Sequence, residues 1–133
     1  MITLIISSFM CWFTAAACNA VMDVLAFKYK YSIFYMLDPY YWNPSISWRN
    51  KYKNRKVSNG PAFFGSTTFL VFTTDAWHLF QFLSNSFIVI SMILIASMFY
   101  EFDHWYQYIA LFIAFKVTWG VIFEWFYSSI FRN

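Results

Sequence analysis

A chain of 133 residues that is 61% hydrophobic and only 11% charged is one domain carrying more apolar surface than a soluble fold of that length can hide. These proportions exclude a water-soluble domain and place the molecule in a bilayer, where lipid solvates an apolar exterior. The net charge of +3 is concentrated rather than spread, because seven of the nine basic residues lie between Lys28 and Lys56.

Ile2 to Phe27 reads as the first membrane span, apolar until Asn19 and Asp23. A secretory signal peptide is the rival reading, and Ala15-Ala16-Ala17-Cys18 loosely resembles a lipoprotein cleavage box. A basic n-region is missing and the apolar pattern runs on past the alanines, so a retained span is expected. Cys11 and Cys18 would lie ~10 Å apart on one helix, too far for a disulfide, and read as small apolar residues. Lys28 to Leu37 mixes basic, tyrosine and apolar residues, as the last turns of a helix leaving the bilayer or a short interfacial helix would. Asp38-Pro39 should stop it.

Residues 38–65 read as a loop with turn signals at Asn43-Pro44 and Asn59-Gly60-Pro61. Tyr40, Tyr41, Trp42, Trp48 and Tyr52 interleave there with Arg49, Lys51, Lys53, Arg55 and Lys56. Basic and aromatic residues together can mark nucleic-acid binding. Tethering beside a span favours anionic lipid headgroups instead, each basic residue contributing about 1 kcal/mol near the surface. Headgroup binding is therefore assigned to those five basic residues, and no nucleic-acid partner is expected.

Ser66 to Tyr100 exceeds the ~20 residues that a perpendicular span requires. A break near Thr73-Thr74 is expected, with either threonine as helix cap and Asp75 in the first turn, where the helix dipole favours an anion. The second span then covers about residues 74–100, after an interfacial or re-entrant lead-in from Thr67 to Phe72. Glu101 to His104 is a polar turn in which His104 is solvated. The third span, about 105–127, carries Lys116 near its middle, and Gly120 reads as a point of close helix approach. The basic excess places the 38–65 loop and the C-terminus in the cytoplasm and the N-terminus outside. The expected fold class is thus all-α and integral to the membrane: three transmembrane helices with a basic, aromatic interfacial loop between the first two.

A rise of 1.5 Å per residue puts Asp23 ~14 Å, Glu124 ~12 Å and His78 ~16 Å from the middle of their spans toward the cytoplasm. Asn19, Asp23, Asp75, His78 and Glu124 would share one layer, and Lys116 could snorkel toward it. One reading is a structural lock, with Asn19, Asp23, Lys116 and Glu124 holding the helices in register. Another is a site: Asp23, Asp75, His78 and Glu124 are the catalytic candidates, as acid and base on a lipid headgroup. Asp75 and His78 are the candidate ligands of a metal ion, the one cofactor this pattern suggests.

Trp42-Asn43-Pro44, Ser47-Trp48-Arg49-Asn50-Lys51-Tyr52-Lys53, Gly65-Ser66-Thr67-Thr68 and Thr74-Asp75-Ala76-Trp77-His78 are similar to stretches of a group of uncharacterised small multi-pass membrane proteins of bacteria and phages. The resemblance covers about residues 19 to 128 and carries no activity with it. The functional expectation is a non-enzymatic subunit or accessory protein of a membrane assembly, with other membrane subunits or a second copy as partners. The alternative is a membrane-embedded enzyme, metal-dependent or not, acting on lipid or lipid-linked substrates at the inner leaflet. A channel or transporter ranks third, because three spans seldom enclose a path alone.

Overall fold

A computed structural model describes residues 1–126, apart from the side chain of Glu124. The expected end of the third span at residue 127 and the tail with Arg132 lie outside the described residues. The architecture is all-helical, and three helices are long and apolar enough to cross a membrane. They are α1 (Ile2–Lys28), α4 (Ala76–Ala96) and α5 (Trp105–Trp125). Two one-turn helices lie between α1 and α4: α2 (Pro39–Trp42) and α3 (Pro44–Ser47). No strand forms among the described residues; Tyr52 and Pro61 make an isolated antiparallel bridge.

α1 contains neither Gly nor Pro and closes on Lys28, whose charge complements the negative end of the helix dipole. Residues 29–37 do not continue the α-helix. They break into two 3-10 turns, Tyr29–Tyr31 and Ile33–Met36, the second begun by Ser32 Oγ accepting from Phe34 N at 3.2 Å. The following dipeptides stop one turn and start the next. Asp38 Oδ1 accepts from Tyr40 N at 2.9 Å with Pro39 opening α2, and Asn43 Oδ1 accepts from Ser45 N at 3.1 Å with Pro44 opening α3. The segment read as a loop is therefore a chain of capped turns.

Beyond α3 the backbone makes short 3-10 turns at Trp48–Lys51, Lys53–Arg55 and Val57–Asn59. Asn54 and Arg55 adopt positive φ, 52° and 58°. Lys53 N donates to Gly60 O at 3.0 Å and Ala62 N to Lys51 O at 2.9 Å, closing this stretch on itself. Gly65, at φ +82°, has a Phe69 ring carbon 2.9 Å from where a Cβ would sit, so only glycine fits unstrained. The chain reaches α4 through turns and a 3-10 turn at Val71–Thr73, and α4 ends at Ala96 rather than Tyr100.

Contacts divide the chain into two units, and α1 and α4 contribute to both. In the unit of residues 14–85, Leu25, Tyr29 and Ala76 form a buried cluster ringed by Val21, Phe34, Tyr41, Trp42 and Trp77. There α1 and α4 run antiparallel, with Ser84 Oγ donating to Ala15 O at 3.0 Å. The other unit joins residues 1–13 to the described residues from Ser86 onward. Within it Ser8 and Ser91, both buried, lie Oγ to Oγ at 2.6 Å, and Ser91 Oγ donates to Ser8 O at 3.2 Å. Such small hydroxyl residues let helix backbones approach while meeting each other's polar groups. Cys18 is buried, Cys11 half-buried, and both are free thiols.

Candidate functional site

The densest polar group lies where the 3-10 turn Val71–Thr73 gives way to α4. Asp75 Oδ1 accepts from His78 N at 3.0 Å, and its carbonyl accepts from Leu79 N at 3.1 Å. Asp75 is thus itself the N-cap, a correction to the expected threonine cap. Residue N3 lies three positions on, and the short Asp side chain reaches that amide. Asp75 Oδ2 stands 2.7 Å from His78 Nδ1 and 3.1 Å from Thr74 Oγ1. The Thr74 hydroxyl is also 2.7 Å from Val71 O, so its one proton is shared.

Asp75 is 1% exposed. Burial by itself would raise its pKa. Hydrogen bonds from the His78 side chain and backbone, the charge of His78 and the Thr74 hydroxyl outweigh burial and hold the carboxyl below its ordinary value. The Tyr41 phenol is pushed up, by burial first and then by the Asp75 charge. Asn50 closes the site from the other side, its Nδ2 donating to Tyr40 O at 2.7 Å and Thr74 O at 2.9 Å. Sequence reading missed Asn50 because both its partners are main-chain carbonyls, which leave no pattern in residue types.

The His78 side chain is 19% exposed. In its neutral form, with Nδ1–H donated to Asp75, the imidazole would carry its lone pair on Nε2, the arrangement used by general bases and metal-bound histidines. Asp75 and His78 are therefore brought together as expected. Among the described residues, no group of three His, Cys, Asp or Glu side chains is placed to hold a metal ion.

Asn19 and Asp23 do not join them. Both are exposed on α1, Asp23 on the side away from buried Cys18 and Leu25. Helix rise sets depth, but rotation about the axis decides which way a side chain faces. Lys116 turns to α4, its Nζ donating to Ser86 Oγ at 3.3 Å. The Glu124 side chain lies outside the described residues. Gly120 has nothing within 4 Å of a built Cβ, so no helix approaches it closely among the described residues.

The five basic residues assigned to headgroups divide by geometry. Arg55 is part of the fold: Nη2 donates to Ile46 O at 2.8 Å and the guanidinium lies 4.4 Å from the Tyr40 ring centre. Arg49 rests over Trp48 at 5.4 Å and Lys51 over Tyr52 at 5.7 Å. Lys53 and Lys56 are exposed. Each cation thus has an aromatic neighbour or open surroundings, and neither arrangement was legible from charge alone.

No family model, curated protein or solved structure matches this chain.

Proposed function

We propose that the chain is a multi-pass integral membrane protein acting as a non-enzymatic subunit or accessory protein of a membrane assembly. The observation that carries this reading is α5, whose apolar stretch Trp105–Phe123 has none of its residues buried. A helix that is hydrophobic all round needs lipid or another apolar surface about it. The non-enzymatic part is supported by the use made of Asp75. Both its oxygens and the Nδ1 of His78 are engaged within one turn of chain, where they fix the start of α4. In the proposed topology the 38–65 segment and the C-terminus are cytoplasmic and the N-terminus is outside, with Arg49, Lys51, Lys53 and Lys56 toward anionic headgroups. Partner subunits or a second copy would cover part of α5.

Extraction of the full chain from its native membrane into lipid nanodiscs tests this. The chain should resist alkaline carbonate washing and run as a discrete species heavier than one 16.0 kDa protomer with its disc. A protomer that stays single in native membranes would overturn the assembly reading. Ready labelling of a cysteine at Ser58 from outside intact cells would overturn the topology.

One observation favours the enzyme reading: His78 held at Nδ1 by Asp75 has the geometry of a base that takes a proton at Nε2. Turnover of a lipid-linked substrate that disappears in His78→Gln, with unfolding unchanged, would establish it.

A further inference from the structure

A second polar feature lies outside the Asp75 group. Where α1 ends, a cavity of about 230 Å³ opens between Lys28, Tyr29 and Lys30 on one side and Asn43, Pro44 and Ser45 on the other. At roughly 30 Å³ per water, it has room for a phosphate group. All its lining residues belong to the unit of residues 14–85.

The lining chemistry is one-sided. Lys28 and Lys30 line the cavity, and no Asp or Glu does. Asn43 uses Oδ1 to accept from Ser45 N, which leaves its Nδ2 as a donor. Ser45 is exposed and brings a hydroxyl. Tyr29 is buried, and its hydroxyl has no hydrogen-bond partner. That hydroxyl sits in the apolar cluster with Leu25 and Ala76, near Asp38, and is no part of the cavity's polar lining. Lys28 also complements the C-terminal dipole of α1, but that role does not account for Lys30 or Asn43.

Position selects the acceptor. The cavity lies at the last turns of the candidate span Ile2–Tyr31, the level of headgroups if that span crosses the bilayer. Together, these observations lead us to propose that the α1-end cavity binds the phosphate of an anionic phospholipid headgroup, with Lys28 and Lys30 as its cationic ligands and Asn43 and Ser45 as neutral donors. This rests on the membrane reading above. It adds Lys28 and Lys30, at and just past the end of α1, to headgroup recognition, outside the basic run of residues 49–56.

Native mass spectrometry of the full chain, released from micelles titrated with phosphatidylglycerol or phosphatidylcholine, tests it. One phosphatidylglycerol per chain should be retained in preference to phosphatidylcholine. Lys28→Gln with Lys30→Gln should weaken retention about 25-fold, roughly fivefold for each lysine near an anionic lipid. Lys28→Arg with Lys30→Arg should keep it. Ser45→Leu, which fills the cavity without changing charge, should weaken it as well. Equal retention of the two lipids would overturn the proposal, as would retention unmoved by Ser45→Leu. Retention unmoved by Lys28→Gln with Lys30→Gln would also overturn it. Inorganic phosphate binding as tightly as phosphatidylglycerol would remove the lipid as its source. If carbonate washing releases the chain, the membrane reading fails and this site fails with it; headgroup indifference in a carbonate-resistant chain sinks the site alone.

Discussion

The segment of residues 38–75 and helix α5 meet their physical requirements in opposite ways. In the segment, side chains answer main-chain groups turn by turn. Asp38, Asn43 and Asp75 start helices, Ser66 Oγ donates to Lys51 O at 2.8 Å, and Asn50 spans from Tyr40 to Thr74. In α5 the backbone satisfies itself and the apolar side chains face outward, so its surroundings complete it. Order in the first region is internal, and on the proposed reading the second delegates it to lipid or a partner. Substitutions in the segment should therefore act on stability, and those on α5 on assembly.

The strongest break should come at the junction. Asp75→Ala removes a cap and leaves His78 without its carboxylate, and is expected to destabilise by about 3 kcal/mol. Unfolding of the full chain in micelles, followed by tryptophan fluorescence, measures this. His78→Ala should cost less, and the double mutant should fall short of the sum because the two share one interaction. Additive losses would mean that the pair is not a unit.

The same carboxyl makes a pH test. Its folded pKa is lowered, so its contribution is fully present above the unfolded carboxylate pKa and is lost as pH falls through the folded value. Wild-type unfolding should become easier as the solution is acidified below the ordinary carboxylate range. Asp75→Asn, lacking the titrating group, should show a flatter dependence there. Matching slopes would assign the acid sensitivity to other groups.

Next in size is Gly65→Ala, which forces a Cβ into positive φ and against the Phe69 ring. A loss of about 1–2 kcal/mol is expected by the same unfolding measurement. A neutral result would show that the turn at Gly65 shifts freely, contrary to an internally ordered segment.

The smallest effect belongs to α5. Gly120→Ala meets open space and should change stability by no more than about 0.5 kcal/mol. The readout that matters is assembly mass in nanodiscs. If the methyl group breaks up a larger species, a partner helix lies against Gly120.

Asp38-Pro39 and Asn43-Pro44 show how far residue types can be read. Their chemistry was visible as a stop signal, yet the oxygen-bearing side chain and the following proline that end one turn also begin the next. Asp75 with His78 was legible because a spacing of three places two side chains together on a helix start. Asn50 was not, since its bond to Thr74 O crosses 24 residues to a carbonyl any residue could supply. Arg55 looked like its basic neighbours, and only the positions of Ile46 O and the Tyr40 ring distinguish it.

By itself the amino-acid order determined three apolar helices of spanning length and the polar breaks between them. Helix length and composition are local quantities, fixed by hydrogen bonds four residues apart and by the runs of side chains that accompany them. Tertiary structure alone decided which way each helix turns: Asn19 and Asp23 outward, Ser8 onto Ser91, Lys116 onto Ser86. Backbone rise gives a residue its depth whatever surrounds it, whereas the angle about the helix axis is set by the packing of one particular neighbour against one particular face.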